Sequence, residues 1–276
     1  MDASTRQLID LALLEDLGPA DVTSLCVPED APGRAAIVAR QTLVLAGSAT
    51  THAIFDRVDP RTRVEFEVQD GTEVEAGTRV GFLEGKARSL LKGERTALNF
   101  LQRLSGVATL TRRAVRALGD DTACKLVDTR KTTPGMRALE KAAVRAGGGH
   151  NHRFGLFDGV LIKDNHIAAA GGIQKAVEAA RARAHHLLRI EVECDRLDQV
   201  DEALTAGADV ILLDNMSDEK LAEAVQRIGS RALTEASGGV TVDRLGRLAA
   251  AGVQFVSMGA LTHSAPAVDL GLDWDA

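Results

Sequence analysis

The stretch Val210-Ile-Leu-Leu-Asp-Asn215 holds four apolar residues in succession and then an acidic and an amide side chain. A strand with one face in solvent would alternate apolar and polar residues, so this run indicates a strand buried on both faces. The polar pair falls where α/β proteins place functional side chains, at the carboxyl end of a parallel strand. This stretch therefore predicts a parallel sheet with a site along one edge.

The same pattern occurs six times in the second half of the chain. The predicted strands are Lys125–Asp128, Gly159–Ile162, Arg189–Glu193, Val210–Leu213, Ala232–Glu235 and Phe255–Met258. Amphipathic stretches separate them and predict the helices Met136–Ala146, Ile173–Ala184, Leu197–Ala206, Asp218–Ile228 and Val242–Ala251. Polar residues follow every strand, which favours a closed α/β barrel over an open sheet with one crevice. Six units are fewer than eight, so the barrel is expected to be incomplete.

The first hundred residues are predicted to be mixed α and β. A capping-box signal at Ser4 opens a helix, and Gly106 is expected to break the helix that begins near Ser89, with a second helix over Thr109–Leu118. Short strands are predicted at Ala36–Ala39, Leu43–Leu45, Val64–Val68 and Arg79–Leu83.

Composition excludes several classes of function. The chain has 276 residues and a formal net charge of −6, so a nucleic-acid partner is not expected. Its three cysteines have no metal-site spacing and indicate a reducing compartment. Neither a secretory signal nor a membrane-spanning run is apparent, so a cytoplasmic protein without membrane contact is predicted.

Five potential cations follow the first two barrel strands: Arg130, Lys131, His152, Arg153 and Lys163. They would repel one another around an empty site, so they predict a ligand that carries several negative charges. For each group alone, a solvated loop or an internal ion pair is the alternative explanation.

Acidic and glycine-rich segments follow the later strands. Glu191 and Glu193 share one face of their strand, and Asp214 ends the next, which together suggest a Mg²⁺ site. Neutralisation of the lysines is the structural alternative. Ser237-Gly238-Gly239 and Gly259 stand where late barrel loops bind phosphate.

An ordered set of motifs resembles the quinolinate phosphoribosyltransferase family. The motifs are Glu15-Asp-Leu-Gly18 with Asp21-Val-Thr23, Glu94-Arg-Thr-Ala-Leu-Asn-Phe-Leu101, Leu104-Ser-Gly-Val-Ala-Thr109, Asp128-Thr-Arg-Lys-Thr-Thr-Pro-Gly135, Asn151-His-Arg153, Leu161-Ile-Lys-Asp-Asn-His166, Glu191-Val-Glu193, Leu213-Asp-Asn215, Glu235-Ala-Ser-Gly-Gly239 and Gly259-Ala-Leu-Thr-His263. Each motif is modest alone, but the set covers about residues 8 to 272 in one order.

The resemblance implies a decarboxylating pentosyltransferase of NAD biosynthesis. Quinolinate and phosphoribosyl pyrophosphate would give nicotinate mononucleotide, pyrophosphate and CO₂, with Mg²⁺ as cofactor. The implied fold is an N-terminal α/β sandwich over residues 1–105, to which residues 265–276 return, and an incomplete barrel of six or seven strands over residues 106–264. The family is at least dimeric, and Arg95 would reach the neighbouring subunit's active site.

The resemblance also implies a role for each site residue. Arg130, Lys131, His152, Arg153 and Lys163 would hold the quinolinate carboxylates, with Lys163 bridging both substrates. Glu193 and Asp214 would face the ribose and bind Mg²⁺, directly or through water, and Ser237, Gly238 and Gly259 would meet phosphate. Lys131, Lys163, Glu193 and Asp214 are the predicted catalytic residues.

Three alternatives remain open at this point. A related barrel group associated with molybdenum transport shares the fold. A metal-dependent barrel hydrolase would use His150, His152 and a carboxylated Lys163. A sensor of phosphorylated metabolites would keep the pocket without turnover.

Overall fold

A computed structural model of the protein describes residues 1–119 and 122–275. These residues form two compact units. Among them, the first unit comprises residues 1–112, 132–148 and 260–275, and the second comprises residues 113–119, 122–131 and 149–259. The predicted division of the chain at residues 105 and 265 stays a prediction.

The first unit combines helices with an antiparallel sheet. Its elements are α1 (Ala3–Leu17), a 3₁₀ turn (Thr23–Cys26), β1 (Pro32–Ala39), β2 (Leu43–Val44), α2 (Ser48–Val58), β3 (Arg63–Phe66), β4 (Glu73–Val74), β5 (Arg79–Lys86), most of α3 (Ala87–Leu118), α4 (Arg137–Ala146), α10 (Ala260–His263) and β12 (Leu270–Trp274). The four-stranded sheet has the order β12-β1-β5-β3, and β2 pairs with β4. The last strand therefore returns to β1, where Leu272 pairs with Ile37.

Two local predictions in this unit were wrong. Asp2, and not Ser4, caps α1, because its carboxylate accepts a hydrogen bond from the Thr5 amide at 2.9 Å. Gly106 does not break α3, which continues to Leu118. A Cβ on Gly106 would lie 2.1 Å from the Pro266 carbonyl oxygen, so glycine here permits a close backbone approach within an unbroken helix.

The second unit contains the predicted parallel sheet, and all six predicted strands are present. They are β6 (Lys125–Val127), β7 (Val160–Ile162), β8 (Ile190–Cys194), β9 (Val210–Asp214), β10 (Leu233–Ser237) and β11 (Phe255–Ser257). Their order is β6-β11-β10-β9-β8-β7, with every pair parallel. The strands follow chain order around a barrel that is interrupted between β6 and β7, where His150 forms a single parallel bridge to Val127. The predicted incomplete α/β barrel is therefore confirmed.

Helices connect these strands much as the sequence pattern predicts. They are α5 (Asp164–Ala170), α6 (Ile173–Arg183), α7 (Leu197–Thr205), α8 (Asp218–Ile228) and α9 (Leu245–Ala250), the last preceded by a 3₁₀ turn (Val242–Arg244). Ser217 caps α8 as expected, since its hydroxyl accepts from the Lys220 amide. Thr241 takes the N-cap position before the 3₁₀ turn, but its side chain makes no capping hydrogen bond there. Among the described residues, no helix is long and apolar enough to cross a membrane.

Candidate active site

A cavity of about 480 Å³ opens at the carboxyl ends of the barrel strands. Nine of the eleven predicted site residues line it: Arg130, Lys131, His152, Arg153, Lys163, Glu193, Asp214, Ser237 and Gly238. The topology explains why, because six parallel strands bring their carboxyl ends, and the polar residues that follow them, to one edge. All five predicted cations therefore share one cavity.

The other two predicted site residues are placed elsewhere. Arg95 is an exposed residue of α3 in the first unit. Gly259 lies two residues beyond the end of β11 and is not part of the cavity lining. Their predicted roles, across a subunit interface for Arg95 and at phosphate for Gly259, stay predictions.

Two of the cations have defined partners in the second unit. Lys163 follows β7, and its Nζ forms an ion pair with Oε2 of Glu193 on β8. Nη1 of Arg153 donates to the Gly159 carbonyl oxygen at 3.0 Å. Burial, and then the nearby charge of Arg130, lower the pKa of Arg153. Burial is the larger cause, and an anionic ligand would relieve the part that the charge of Arg130 contributes.

A buried aspartate fixes the segment that carries His152 and Arg153. Asp128, at the end of β6, is completely buried. Its two carboxylate oxygens accept from Nδ2 of Asn151 at 2.6 Å and from the backbone amide of His152 at 2.9 Å. The Asp-Thr-Arg-Lys and Asn-His-Arg motifs are therefore linked through this carboxylate, although 20 residues or more separate them in sequence.

His152 contacts two buried glutamates, of which Glu235 also lines the cavity. Its Nε2 lies 3.1 Å from Oε2 of Glu191 and 3.6 Å from Oε2 of Glu235. Burial alone would lower the pKa of His152. The hydrogen bond to Glu191 and the charges of both glutamates outweigh burial, so the net shift of the pKa is upward. Burial, reinforced by the charge of Glu191, raises the pKa of Glu235 to about 7.

Asp214 is held at the end of β9 by an unusual turn. Its Oδ2 accepts from Nδ2 of Asn215 at 2.6 Å, and Asn215 has the left-handed φ of 54°. Asn215 is the non-glycine residue of the described chain with positive φ, a conformation that concentrates at functional sites. The adjacent Ser237 carbonyl accepts from the Asn215 amide at 3.1 Å, which ties β9 to β10 at the cavity edge.

Comparison with known proteins matches both parts of the chain to one family. The model of the quinolinate phosphoribosyl transferase N-terminal domain matches residues 21–105, and that of the C-terminal domain matches residues 107–273. The chain belongs to the quinolinate phosphoribosyltransferase family. The family predicted from the sequence motifs is confirmed, and with it the class of enzyme, a pentosyltransferase.

Relatives of this phosphoribosyltransferase resemble it over nearly their whole length. A probable nicotinate-nucleotide pyrophosphorylase (carboxylating) of Bacillus subtilis is 45% identical and aligns with 97% of this chain and 92% of its own. A decarboxylating quinolinate phosphoribosyltransferase of Nicotiana tabacum is 41% identical, with 98% and 82% covered. The crystal structure of a nicotinate-nucleotide pyrophosphorylase from Ehrlichia chaffeensis has a TM-score of 0.94 at 37% identity, with both chains covered completely.

Two cavity residues of this phosphoribosyltransferase fit the predicted Mg²⁺. Glu193 and Asp214 offer hard carboxylate oxygens, and both line the cavity. Each already has a partner, Lys163 for Glu193 and Asn215 for Asp214, and neither belongs to a group of three or more ligands among the described residues. The pair therefore suits an ion that takes most of its ligands from substrate oxygens and water.

One cluster among the described residues could bind a metal ion, but its members differ from those of the hydrolase alternative. His152, Glu191 and Glu235 bring one ligand atom each within 4.8 Å of one another, without His150 or Lys163. The sequence pattern made Glu191 part of the suggested Mg²⁺ site, beside Glu193 and Asp214, and gave Glu235 no role. Its signal was the position two residues before Ser237, on the same face of the strand.

Proposed function

We propose that this protein transfers the phosphoribosyl group of phosphoribosyl pyrophosphate to quinolinate, with loss of CO₂ and pyrophosphate, to form nicotinate mononucleotide. The observation that supports this most strongly is that one cavity is lined by Arg130, Lys131, Arg153 and Lys163 together with Glu193 and Asp214. A protein with a formal charge of −6 concentrates cations here. A dicarboxylate and a sugar pyrophosphate are ligands of matching charge and size.

The cationic side chains would act mainly by orientation. Quinolinate and phosphoribosyl pyrophosphate are both anions and repel each other in water. Arg130 and Arg153 offer planar guanidinium groups that suit the two carboxylates of quinolinate. Lys163, which pairs with Glu193 in this structure, would contact both substrates. Holding two reactants in a reactive arrangement supplies a large part of many enzymatic rate enhancements.

The transfer step forms a bond from the pyridine nitrogen to C1 of the ribose as the bond from C1 to pyrophosphate breaks. Positive charge develops on the sugar, and the carboxylates of Glu193 and Asp214 at the cavity wall would stabilise it. Bound Mg²⁺ would supply neutralising charge for the departing pyrophosphate. Asn215 keeps Asp214 in place for this role through the 2.6 Å hydrogen bond.

The decarboxylation step follows from the product of transfer. The ring nitrogen is then cationic and accepts the electron pair released as the adjacent carboxylate leaves as CO₂. A proton replaces the carboxylate on the ring carbon, so atoms and charge balance without a redox cofactor. Arg130 and Arg153 would anchor the carboxylate that remains in the product.

We also propose a dimer with shared active sites. The support is the exposed position of Arg95 on α3 and its place in the Glu-Arg-Thr motif of the family. An exposed arginine is available to a neighbouring subunit's substrate. Subunit mixing tests whether Arg95 acts across the subunit interface of a dimer or higher oligomer.

The function is tested with quinolinate labelled in the carboxylate next to the ring nitrogen. Incubation with phosphoribosyl pyrophosphate and Mg²⁺ should release labelled CO₂ and nicotinate mononucleotide in equal amounts. Release that depends on both substrates supports the proposal. Binding of either substrate without any product would instead favour the sensor alternative.

A further inference from the structure

Both ring nitrogens of His152 are engaged by the protein. Nδ1 lies 2.7 Å from the backbone nitrogen of Arg153, which donates its proton to the ring. Nε2 faces Oε2 of Glu191 at 3.1 Å and Oε2 of Glu235 at 3.6 Å. The backbone amide of the same residue is held by Asp128 at 2.9 Å. Strands β8 and β10 therefore contact the imidazole, and Asp128 holds the backbone of the same residue.

These contacts determine which tautomer of His152 is present. A ring nitrogen that accepts a hydrogen bond carries no proton, so Nδ1 is unprotonated and the proton resides on Nε2. A protonated Nδ1 would set two donors against each other at 2.7 Å. In this arrangement the ring directs its N–H toward the glutamates and not toward an anion in the cavity.

The two glutamates are buried at unusual cost. Glu191 is 7% exposed and Glu235 is 4% exposed, and the Oε1 atom of each has no hydrogen-bond partner among the described residues. Buried carboxylates without full hydrogen bonding destabilise a fold, and apolar residues of similar volume would usually serve stability better. Both contact His152, and Glu235 itself lines the cavity, which indicates a role in function.

We propose that Glu191 and Glu235 are positioning residues that hold His152 in one orientation and, through Nδ1, align Arg153 for a substrate carboxylate. This inference rests on the proposed function, because it needs Arg153 to bind quinolinate. Arg153 has a second constraint at its guanidinium, where Nη1 donates to the Gly159 carbonyl at 3.0 Å. The backbone amide of Arg153 and its guanidinium are thus each held by a hydrogen bond. In this proposal His152 acts on the substrate through Arg153, in place of the direct contact with a quinolinate carboxylate that the family resemblance implies.

Kinetics of matched substitutions test this role. Glu191→Ala removes the acceptor of the Nε2–H hydrogen bond, and Glu235→Ala removes the second carboxylate, 3.6 Å from Nε2. Glu191→Gln and Glu235→Gln each keep a side-chain oxygen in place of the carboxylate. We expect the alanine variants to raise KM for quinolinate about tenfold or more, with KM for phosphoribosyl pyrophosphate unchanged. Losses of this order follow in other proteins when a residue that orients a ligand-binding side chain is removed. The glutamine variants should recover most of the affinity. Equal changes in both KM values, or no advantage of glutamine over alanine, would overturn the proposal.

Imidazole nitrogen NMR of the wild-type protein gives a test without a destabilised variant. The signal that disappears in His152→Asn identifies His152, and it should show a protonated Nε2 and an unprotonated Nδ1. A protonated Nδ1 would contradict the proposal. So would tight binding of one equivalent of Zn²⁺ that Glu235→Ala abolishes, since the cluster would then be a metal site.

The two proposals fail in different ways. If the wild-type protein forms no nicotinate mononucleotide, the proposed function fails, whatever the tautomer of His152. If turnover is normal but the glutamate variants leave KM for quinolinate unchanged, only the positioning role fails.

Discussion

Gly238 and Asn215 pack so closely that only glycine fits at position 238. A Cβ on Gly238 would lie 2.3 Å from Oδ1 and 2.7 Å from the backbone nitrogen of Asn215. Gly238 also has a φ of 84°, which side-chain-bearing residues rarely adopt. This contact joins the end of β10 to the turn that holds Asp214, so the glycine of the Ser-Gly-Gly motif has a structural role beside its predicted phosphate contact.

Gly238→Ala should lower kcat/KM for phosphoribosyl pyrophosphate by about tenfold or more, because Asn215 must move and Asp214 loses its 2.6 Å hydrogen bond. Steady-state kinetics measure the effect. Gly252→Ala is the matched control, since Gly252 also has positive φ but its nearest neighbour to a Cβ lies 3.6 Å away. The control should lose about 1 kcal/mol of stability and keep its activity. Equal activity of the two variants would contradict this account.

Lys163→Ala should reduce kcat/KM by about a hundredfold or more, since the variant removes a charge that pairs with Glu193 and is proposed to contact both substrates. Thermal unfolding should show a retained fold, because the Lys163 side chain is 44% exposed. Lys220→Ala, on α8, controls for the loss of a lysine from the same unit. Near-normal turnover by Lys163→Ala would remove this residue from the mechanism.

Mixing two inactive variants should restore activity if Arg95 serves the partner's site. In a dimer of Arg95→Ala with Lys163→Ala, one of the two sites has both residues intact. Random exchange makes half of the dimers hybrids, so about a quarter of wild-type activity is expected. Native mass spectrometry must first show that subunits exchange. Exchange without any recovery would argue against a shared site.

The pH dependence of the free energy of unfolding should show the effect of burying Glu235. Its pKa is raised from 4.5 to about 7, so its contribution to stability is present below about pH 4.5 and is lost as the pH rises through about 7. Relative to Glu235→Gln, the wild-type protein should therefore lose about 2 kcal/mol between about pH 5 and about pH 8. Urea unfolding at both pH values measures the difference, and a constant difference would contradict the burial argument.

Turnover should require Mg²⁺. A chelator is expected to abolish product formation, and excess Mg²⁺ should restore it. Glu193→Gln and Asp214→Asn should both increase the Mg²⁺ concentration that gives half-maximal rate, because each removes one carboxylate charge. Full activity in the presence of chelator would refute the metal requirement.

The sequence predicts the barrel well because its strands have a simple residue pattern. Runs such as Val210–Leu213 are apolar throughout and end in polar residues, so both their burial and their orientation can be inferred. Positions at the strand ends then follow from topology alone, which is why nine predicted residues line one cavity. The ordered motifs added the identity of the family.

The misses have physical causes that local patterns do not contain. Gly106 reads as a helix breaker, and only the tertiary approach of Pro266 explains why α3 continues. The helices α2 and α5 contain mixed polar and small residues. That composition is also typical of connecting loops, so the sequence did not predict these helices. The contact between His152 and its two glutamates depends on the register of β8, β9 and β10, which sequence periodicity does not specify.

The central claim is that a cluster of cations selects a dicarboxylate for phosphoribosyl transfer. The most direct measurement is kcat/KM for quinolinate compared with nicotinate, which lacks the carboxylate next to the ring nitrogen, at saturating phosphoribosyl pyrophosphate and Mg²⁺. We expect quinolinate to be preferred by about a thousandfold or more. Nicotinate would leave the cationic groups that bind the second carboxylate without a partner, so the site should reject it strongly. Comparable values for the two substrates, or turnover of quinolinate without CO₂, would contradict it.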